Sequence, residues 1–138
     1  MNIVTLGVTD LEKSKQFYKN LGFQLPANEN PGIVFFNAQG TKLALYPMDE
    51  LMKDLGKSAE ARGDRFSGIT MAFNAKSREE VDQIFAQIES IGGTIAKKPE
   101  VAFWGGYSGY FQDPDGYYWE VAHADFWQFD ENNMLILG

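Results

Sequence analysis

The sequence contains no cysteine and one histidine among its 138 residues. The first absence removes disulfides, thiolate metal sites and cysteine nucleophiles; the second removes any centre that needs two imidazoles from one chain. Basic residues are also few, with 12 Lys and Arg against 19 Asp and Glu and a net charge of −7. Non-specific binding to a phosphate backbone relies on clustered Lys and Arg, so nucleic acid is not an expected partner. No apolar run approaches the ~18 residues needed to span a bilayer, and the chain opens on a strand-like run without a basic-then-apolar leader. A soluble, cytoplasmic protein with no membrane partner is therefore expected. What is present is an ordinary globular balance, 44% hydrophobic and 22% charged, in a chain of about one domain's length.

Two similar stretches follow one another. Met1 to Val8 reads as a strand, and Thr9-Asp10-Leu11-Glu12 offers both an Asx cap and a Thr-x-x-Glu capping box to a helix whose apolar face is Leu11, Phe17, Tyr18 and Leu21. Gly22 is placed to end it. Strands are expected at Phe23–Pro26, Ile33–Asn37 and Lys42–Tyr46, separated by Asn30-Pro31-Gly32 and Gln39-Gly40. The order then recurs. Phe66–Asn74 reads as a strand, Ser77-Arg78-Glu79-Glu80 as a second capping box, and Val81, Ile84, Phe85, Ile88 and Ile91 as a helix face before Gly92-Gly93. Thr94–Ala96, Tyr107–Gln112 and Tyr117–His123 supply three more strands, the last two joined by Asp113-Pro114-Asp115-Gly116. Met48, Leu51, Met52 and Leu55 predict a short connector helix, Lys97-Lys98-Pro99-Glu100 a solvated loop, and the apolar tail a segment that packs on its own domain or on a partner chain. The expected fold class is α+β, built from two βαβββ modules.

These residues resemble the vicinal oxygen chelate superfamily, which includes glyoxalase I, extradiol dioxygenases and the bleomycin and fosfomycin resistance proteins. The resemblance rests on Leu6-Gly7-Val8-Thr9-Asp10-Leu11 with Ser14, Phe17-Tyr18 and Leu21-Gly22-Phe23, and on Asp113-Pro114-Asp115-Gly116-Tyr117-Tyr118-Trp119-Glu120. It implies a single domain over 1–138: module one at about 1–47, connector 48–65, module two at about 66–123 and a tail 124–138. Each module would form a curved mixed sheet, the two sheets enclosing a cavity for metal and substrate, with metal ligands drawn from the first and fourth strands of each. Those positions fall at Ile3, about Ala44, about Gly68 and Glu120, and only Glu120 carries a ligating side chain. The resemblance also points to a homodimer.

One carboxylate does not hold a divalent metal for chemistry, so no cofactor is expected and a metal site is disfavoured. His123 is a poor substitute, because residues three apart on a regular strand face opposite sides of the sheet. Glu120 itself has two readings. It either hydrogen-bonds a neighbouring tyrosine or backbone group, or is desolvated by Tyr118 and Phe111 and serves as a general acid or base. Trp104 and Tyr107 flank the Gly105-Gly106 pair, where backbone or ligand can approach closely, while Trp119 and Val121 should pack on a helix. The candidate binding set is Trp104, Tyr107, Phe111, Tyr118 and Glu120. Aromatic walls in an acidic protein suit a flat or cationic small molecule held without a metal. The alternative is a lyase or isomerase of the glyoxalase type that uses Glu120 as acid or base, with or without an atypically bound divalent metal.

Overall fold

Both long helices begin at a side chain that stands in for a missing backbone partner. In the computed structural model, which describes residues 1–38, 40–57 and 66–137, the Asp10 carboxylate accepts from the Lys13 N–H at 3.0 Å and opens α1 (Leu11–Leu21). Asp10 is the cap, and Glu12 accepts from the Gln16 amide one turn on. Ser77 makes its half of the box on α3 (Arg78–Ile88), its hydroxyl accepting from Glu80 N–H at 3.0 Å, while the Glu80 carboxylate reaches one residue past the cap and accepts from Lys76 N–H at 2.6 Å. Gly22 ends α1 at φ 114°, a conformation that a side chain would strain.

The chain divides into two units, Met1–Gly68 and Ile69–Gly138. The first holds β1 (Ile3–Val8), α1, β2 (Val34–Phe36), β3 (Lys42–Pro47) and α2 (Met48–Asp54). Its sheet runs β1-β3-β2, with β1 parallel and β2 antiparallel to β3. The expected strand at Phe23–Pro26 is reduced to one bridge between Gln24 and Asn37. Phe23 turns its ring onto Tyr18 and Phe36, and Pro26 has no N–H with which to extend a ladder. Phe17, Tyr18, Phe36 and Leu45 form the buried centre of this unit, each worth roughly 1.5–3 kcal/mol in apolar burial. Met48 and Leu51 of α2 lie over Gly7, where an added Cβ would stand 2.7 Å from the Met48 sulfur. The polar connector expected after α2 falls at 58–65, and Gln39 of the expected turn at 39; both lie outside the described residues.

The second unit is βαβββ: β4 (Thr70–Asn74), α3, β5 (Thr94–Val101), β6 (Tyr107–Gln112) and β7 (Tyr118–His123). Its sheet runs β4-β7-β6-β5, with β4 parallel to β7 and the other pairs antiparallel. Lys97-Lys98-Pro99-Glu100 belongs to β5 and is not a loop. The register slips on both sides of Lys97, and such irregularity on an edge strand accommodates Pro99. Gly109 of β6 makes this possible, since a Cβ there would meet the Lys97 carbonyl oxygen at 2.8 Å and Pro99 N at 2.9 Å. Between β6 and β7 the Asp113 carboxylate accepts from the N–H groups of Asp115 and Tyr117, and Gly116 takes φ 87°. Among the described residues, no helix is long and apolar enough to cross a membrane.

Candidate functional site

Register across the second sheet sorts its side chains into two faces, because directly paired residues share a face and neighbours along a strand alternate. One row runs Ala72, Glu120, Tyr110, Lys97. On the same face, the rows beside it are Thr70, Tyr118, Gln112, Thr94 and Asn74, Ala122, Ser108, Glu100. This face is polar. The other face carries Met71, Trp119, Phe111 and Ile95, with Val121, Gly109, His123 and Tyr107, and α3 packs against it.

Glu120 is partly exposed on the polar face. Tyr110 of β6 pairs directly across from it, which sets the phenol beside the carboxylate. Partial burial holds the Tyr110 phenol above its ordinary value, the negative charge of Glu120 and the hydrogen bond to it raise it further, and Lys97 opposes them. Lys97 is itself paired with Glu100 at 3.0 Å, both side chains being more than half exposed, so that ion pair is weak. Tyr118 stands one pair along the face from Glu120.

The expected binding set is split by this geometry. Tyr118 and Glu120 share a face, but Phe111 lies on the other, 1% exposed. Its ring is stacked on Trp119 at 6.4 Å and meets Phe85 of α3 edge-on at 6.1 Å. It is a core residue and cannot desolvate Glu120. Tyr107 also faces α3: its hydroxyl donates to Asp82 at 2.6 Å and the Arg78 guanidinium lies 5.4 Å from its ring centre. That hydrogen bond raises the Tyr107 phenol. Trp104 stacks on Trp127 of the tail, 5.6 Å apart and 19° from parallel. The close approach that Gly105-Gly106 permits is taken by Trp104 itself, whose indole would lie 1.9 Å from a Cβ on Gly106. His123 is on the helix-facing side, opposite Glu120, as strand alternation requires.

Tyr110 was not singled out in the sequence, yet the signal was there. Once the hairpin closes on Asp113–Gly116 and pairs Gln112 with Tyr118, two steps back on β6 and two forward on β7 bring Tyr110 opposite Glu120. The ligand position expected near Gly68 also shifts. Ser77 caps α3 as Asp10 caps α1, so the counterpart of Ile3, seven residues before the cap, is Thr70. Gly68 precedes the strand at φ 81°. Thr70 shares the face of Glu120, but a neutral hydroxyl is a poor ligand for a divalent transition ion. Ile3 and Ala44 in the first unit offer no donor. Among the described residues, no three His, Cys, Asp or Glu side chains are grouped so as to hold a metal. The donor set does not fit the metal that the resemblance implies. Of the concavities in the first unit, one lined by Leu25, Pro26 and Phe35 encloses about 10 Å³, room for one water at most.

A family model described as "Glyoxalase/Bleomycin resistance protein/Dioxygenase superfamily" matches residues 1–121. Among solved structures, a glyoxalase-related enzyme from Fulvimarina pelagi is 29% identical with a TM-score of 0.88, over 100% of this chain and 97% of that one. A hypothetical protein of S. aureus is 30% identical with a TM-score of 0.79, over 90% and 92%. A lactoylglutathione lyase from Agrobacterium tumefaciens is 23% identical with a TM-score of 0.64, over 94% and 96%, a likeness of fold alone. No curated protein matches. The matched span takes in both capped helices, the first sheet and the second as far as Glu120 and Val121 of β7, and on that ground the chain belongs to the glyoxalase, bleomycin resistance protein and dioxygenase superfamily.

Proposed function

We propose that this chain binds a small cationic molecule, aromatic in part, on the polar face of the second sheet, with the Glu120 carboxylate as its anchoring charge and no metal between them. The observation that carries this reading is the Glu120–Tyr110 pair. One carboxylate stands on the polar face directly across from the Tyr110 phenol, whose pKa its charge raises, with the Tyr118 ring one pair away. A carboxylate flanked by tyrosine rings suits an organic cation, which gains from the charge and from the ring faces together. The net charge of −7 favours the approach of such a ligand.

Benzyltrimethylammonium and its neutral isostere neopentylbenzene test the idea in metal-free protein. The cation should raise the melting temperature, insensitively to EDTA, and Glu120→Gln should weaken its binding about tenfold or more, the equivalent of about 1.4 kcal/mol. Equal stabilisation by the neutral isostere, or undiminished binding by the variant, would refute it. A second reading, a lyase or isomerase in which Glu120 carries a proton, is favoured by the same pairing, which sets a phenol beside the carboxylate that would take up and release it. Its sign would be Glu120-dependent uptake of deuterium from D₂O beside the carbonyl of a hydroxyketone such as dihydroxyacetone. We also infer a homodimer, because Phe103 is fully exposed and Phe126 and Leu137 are 67% and 85% exposed. A single-chain mass by light scattering at micromolar concentration would exclude it.

A further inference from the structure

His123, the chain's single histidine, has 11% of its side chain exposed, and both ring nitrogens face groups that accept. Nδ1 lies 2.9 Å from the Ala75 carbonyl oxygen and Nε2 lies 3.0 Å from Asp125 Oδ1. Neither a carbonyl nor an ionised carboxylate can donate, so a neutral imidazole satisfies one contact and turns a lone pair toward the other. Both are satisfied only when both nitrogens carry protons. The two partners lie on different segments. Ala75 follows β4 and leads into the cap of α3, its own N–H donating to the Ala122 carbonyl; Asp125 opens the tail, where the Trp127 N–H donates to the Ala124 carbonyl and the Trp127 ring stacks on Trp104.

We propose that protonated His123 clasps the C-terminal tail to the β4–α3 junction, and that loss of its proton releases Asp125 and loosens the Trp104–Trp127 stack. The asymmetry follows from burial. Ala75 is fully buried, so an abandoned carbonyl there costs more than an abandoned carboxylate on Asp125, whose side chain is 89% exposed and readily hydrated. The neutral ring therefore keeps its Nδ1 proton and presents a bare Nε2 to Asp125, which turns to water. The other charged or titratable groups on the surrounding elements are engaged elsewhere. Tyr107, paired with His123 across β6 and β7, donates to Asp82, and Arg78 lies over its ring. Lys76 binds Asn133 through its ammonium, and Glu80 binds the Lys76 N–H. Asp125 is the carboxylate that meets the imidazole.

Nitrogen-15 NMR of the whole chain tests the clasp without any ligand, since one histidine gives one pair of ring signals. Both nitrogens should be protonated on the acid side of the titration, and the neutral form should be the Nδ1–H tautomer. The Asp125 and Phe126 amides and the Trp127 indole N–H, assigned with Trp127→Phe, should shift in step with the ring. Asp125→Asn supplies both a donor and an acceptor, so its side chain can stay with either ring form; the imidazole should then titrate while the Trp127 signal stays still. An Nε2–H neutral tautomer, a tail indifferent to the ring, or unchanged coupling in Asp125→Asn would each overturn the proposal. His123→Gln, if it folds, should leave the Trp127 signal flat over the same range.

Discussion

Tyr110 is the residue on which the candidate site turns, because it stands directly across the strand pair from Glu120. Its phenol is held above the ordinary range by burial first and by the charge and hydrogen bond of Glu120 next. Glu120→Gln removes the charge and leaves burial and an amide oxygen able to accept, so the phenol should fall part of the way back toward about 10, as ultraviolet titration of the variant and a Tyr110→Phe control will read. The sign for stability follows. A phenol raised in the folded chain contributes fully below its unfolded value and loses that contribution as pH rises through its folded value. The stability difference between the parent and Glu120→Gln in urea should therefore hold up to about pH 10 and shrink as pH rises beyond it; a constant difference would mean that the carboxylate's charge does not act on the phenol in solution. Phe111 is the complementary residue. It is fully buried against Trp119 and Phe85, so Phe111→Ala should cost about 3–5 kcal/mol in unfolding free energy and leave the affinity of the surviving folded protein for benzyltrimethylammonium unchanged. It was chosen for a pocket because sequence counts aromatics without their face; the register of β6 against β7 decides the face, and Phe111 sits beside Tyr110 on the wrong parity.

At the scale of elements, what could be read in advance was whatever local chemistry dictates. The Asp10 and Ser77 caps, the Gly22 stop, and the turn at Asp113–Gly116 all depend on groups within a few residues of one another, and the helices begin where those side chains say. The strands that differ are those set by distant partners. Phe23–Pro26 had strand-like residues but lost them to packing on Tyr18 and Phe36, whereas Lys97–Glu100 looked like a charged loop but is held in β5 by its pairing with β6. Gly109 is the hinge of that second difference. Backbone atoms of Lys97 and Pro99 occupy the space its side chain would need, and backbone cannot move aside as a flexible side chain can. Gly109→Ala should therefore destabilise by about 1–3 kcal/mol, with loss of amide protection concentrated in β5; an unaffected melting temperature would show that the strand reaches its place by another path. Ser77→Ala offers a gentler comparison at about 1 kcal/mol, the ordinary worth of a helix cap.

For the whole molecule, donors and charge decide what can bind. The superfamily's plan, legible from the first strand to Glu120, locates four positions for metal ligands, and this chain fills them with Ile3, Ala44, Thr70 and Glu120. Counting alone does not settle the third position, because the strand-like run before α3 begins at Phe66 while β4 itself begins at Thr70; the cap at Ser77 supplies the register. A specific metal site would declare itself as stability, because anything bound only to the folded chain stabilises it by mass action, about 2.7 kcal/mol at 100 times its Kd. Adding Zn, Ni, Mn or Fe(II) at a modest excess to chelator-stripped protein should leave the melting temperature where EDTA leaves it, in the parent and in Glu120→Gln alike. An organic cation should behave differently. With a net charge of −7, its association should slow as salt shortens the Debye length from about 30 Å at 0.01 M to about 8 Å at 0.15 M, while the part of its affinity that comes from ring contact should persist. A metal that stabilises the parent and fails to stabilise Glu120→Gln would reverse the order of these expectations, making the lone carboxylate one ligand of an ion whose remaining donors come from groups other than the four positions named.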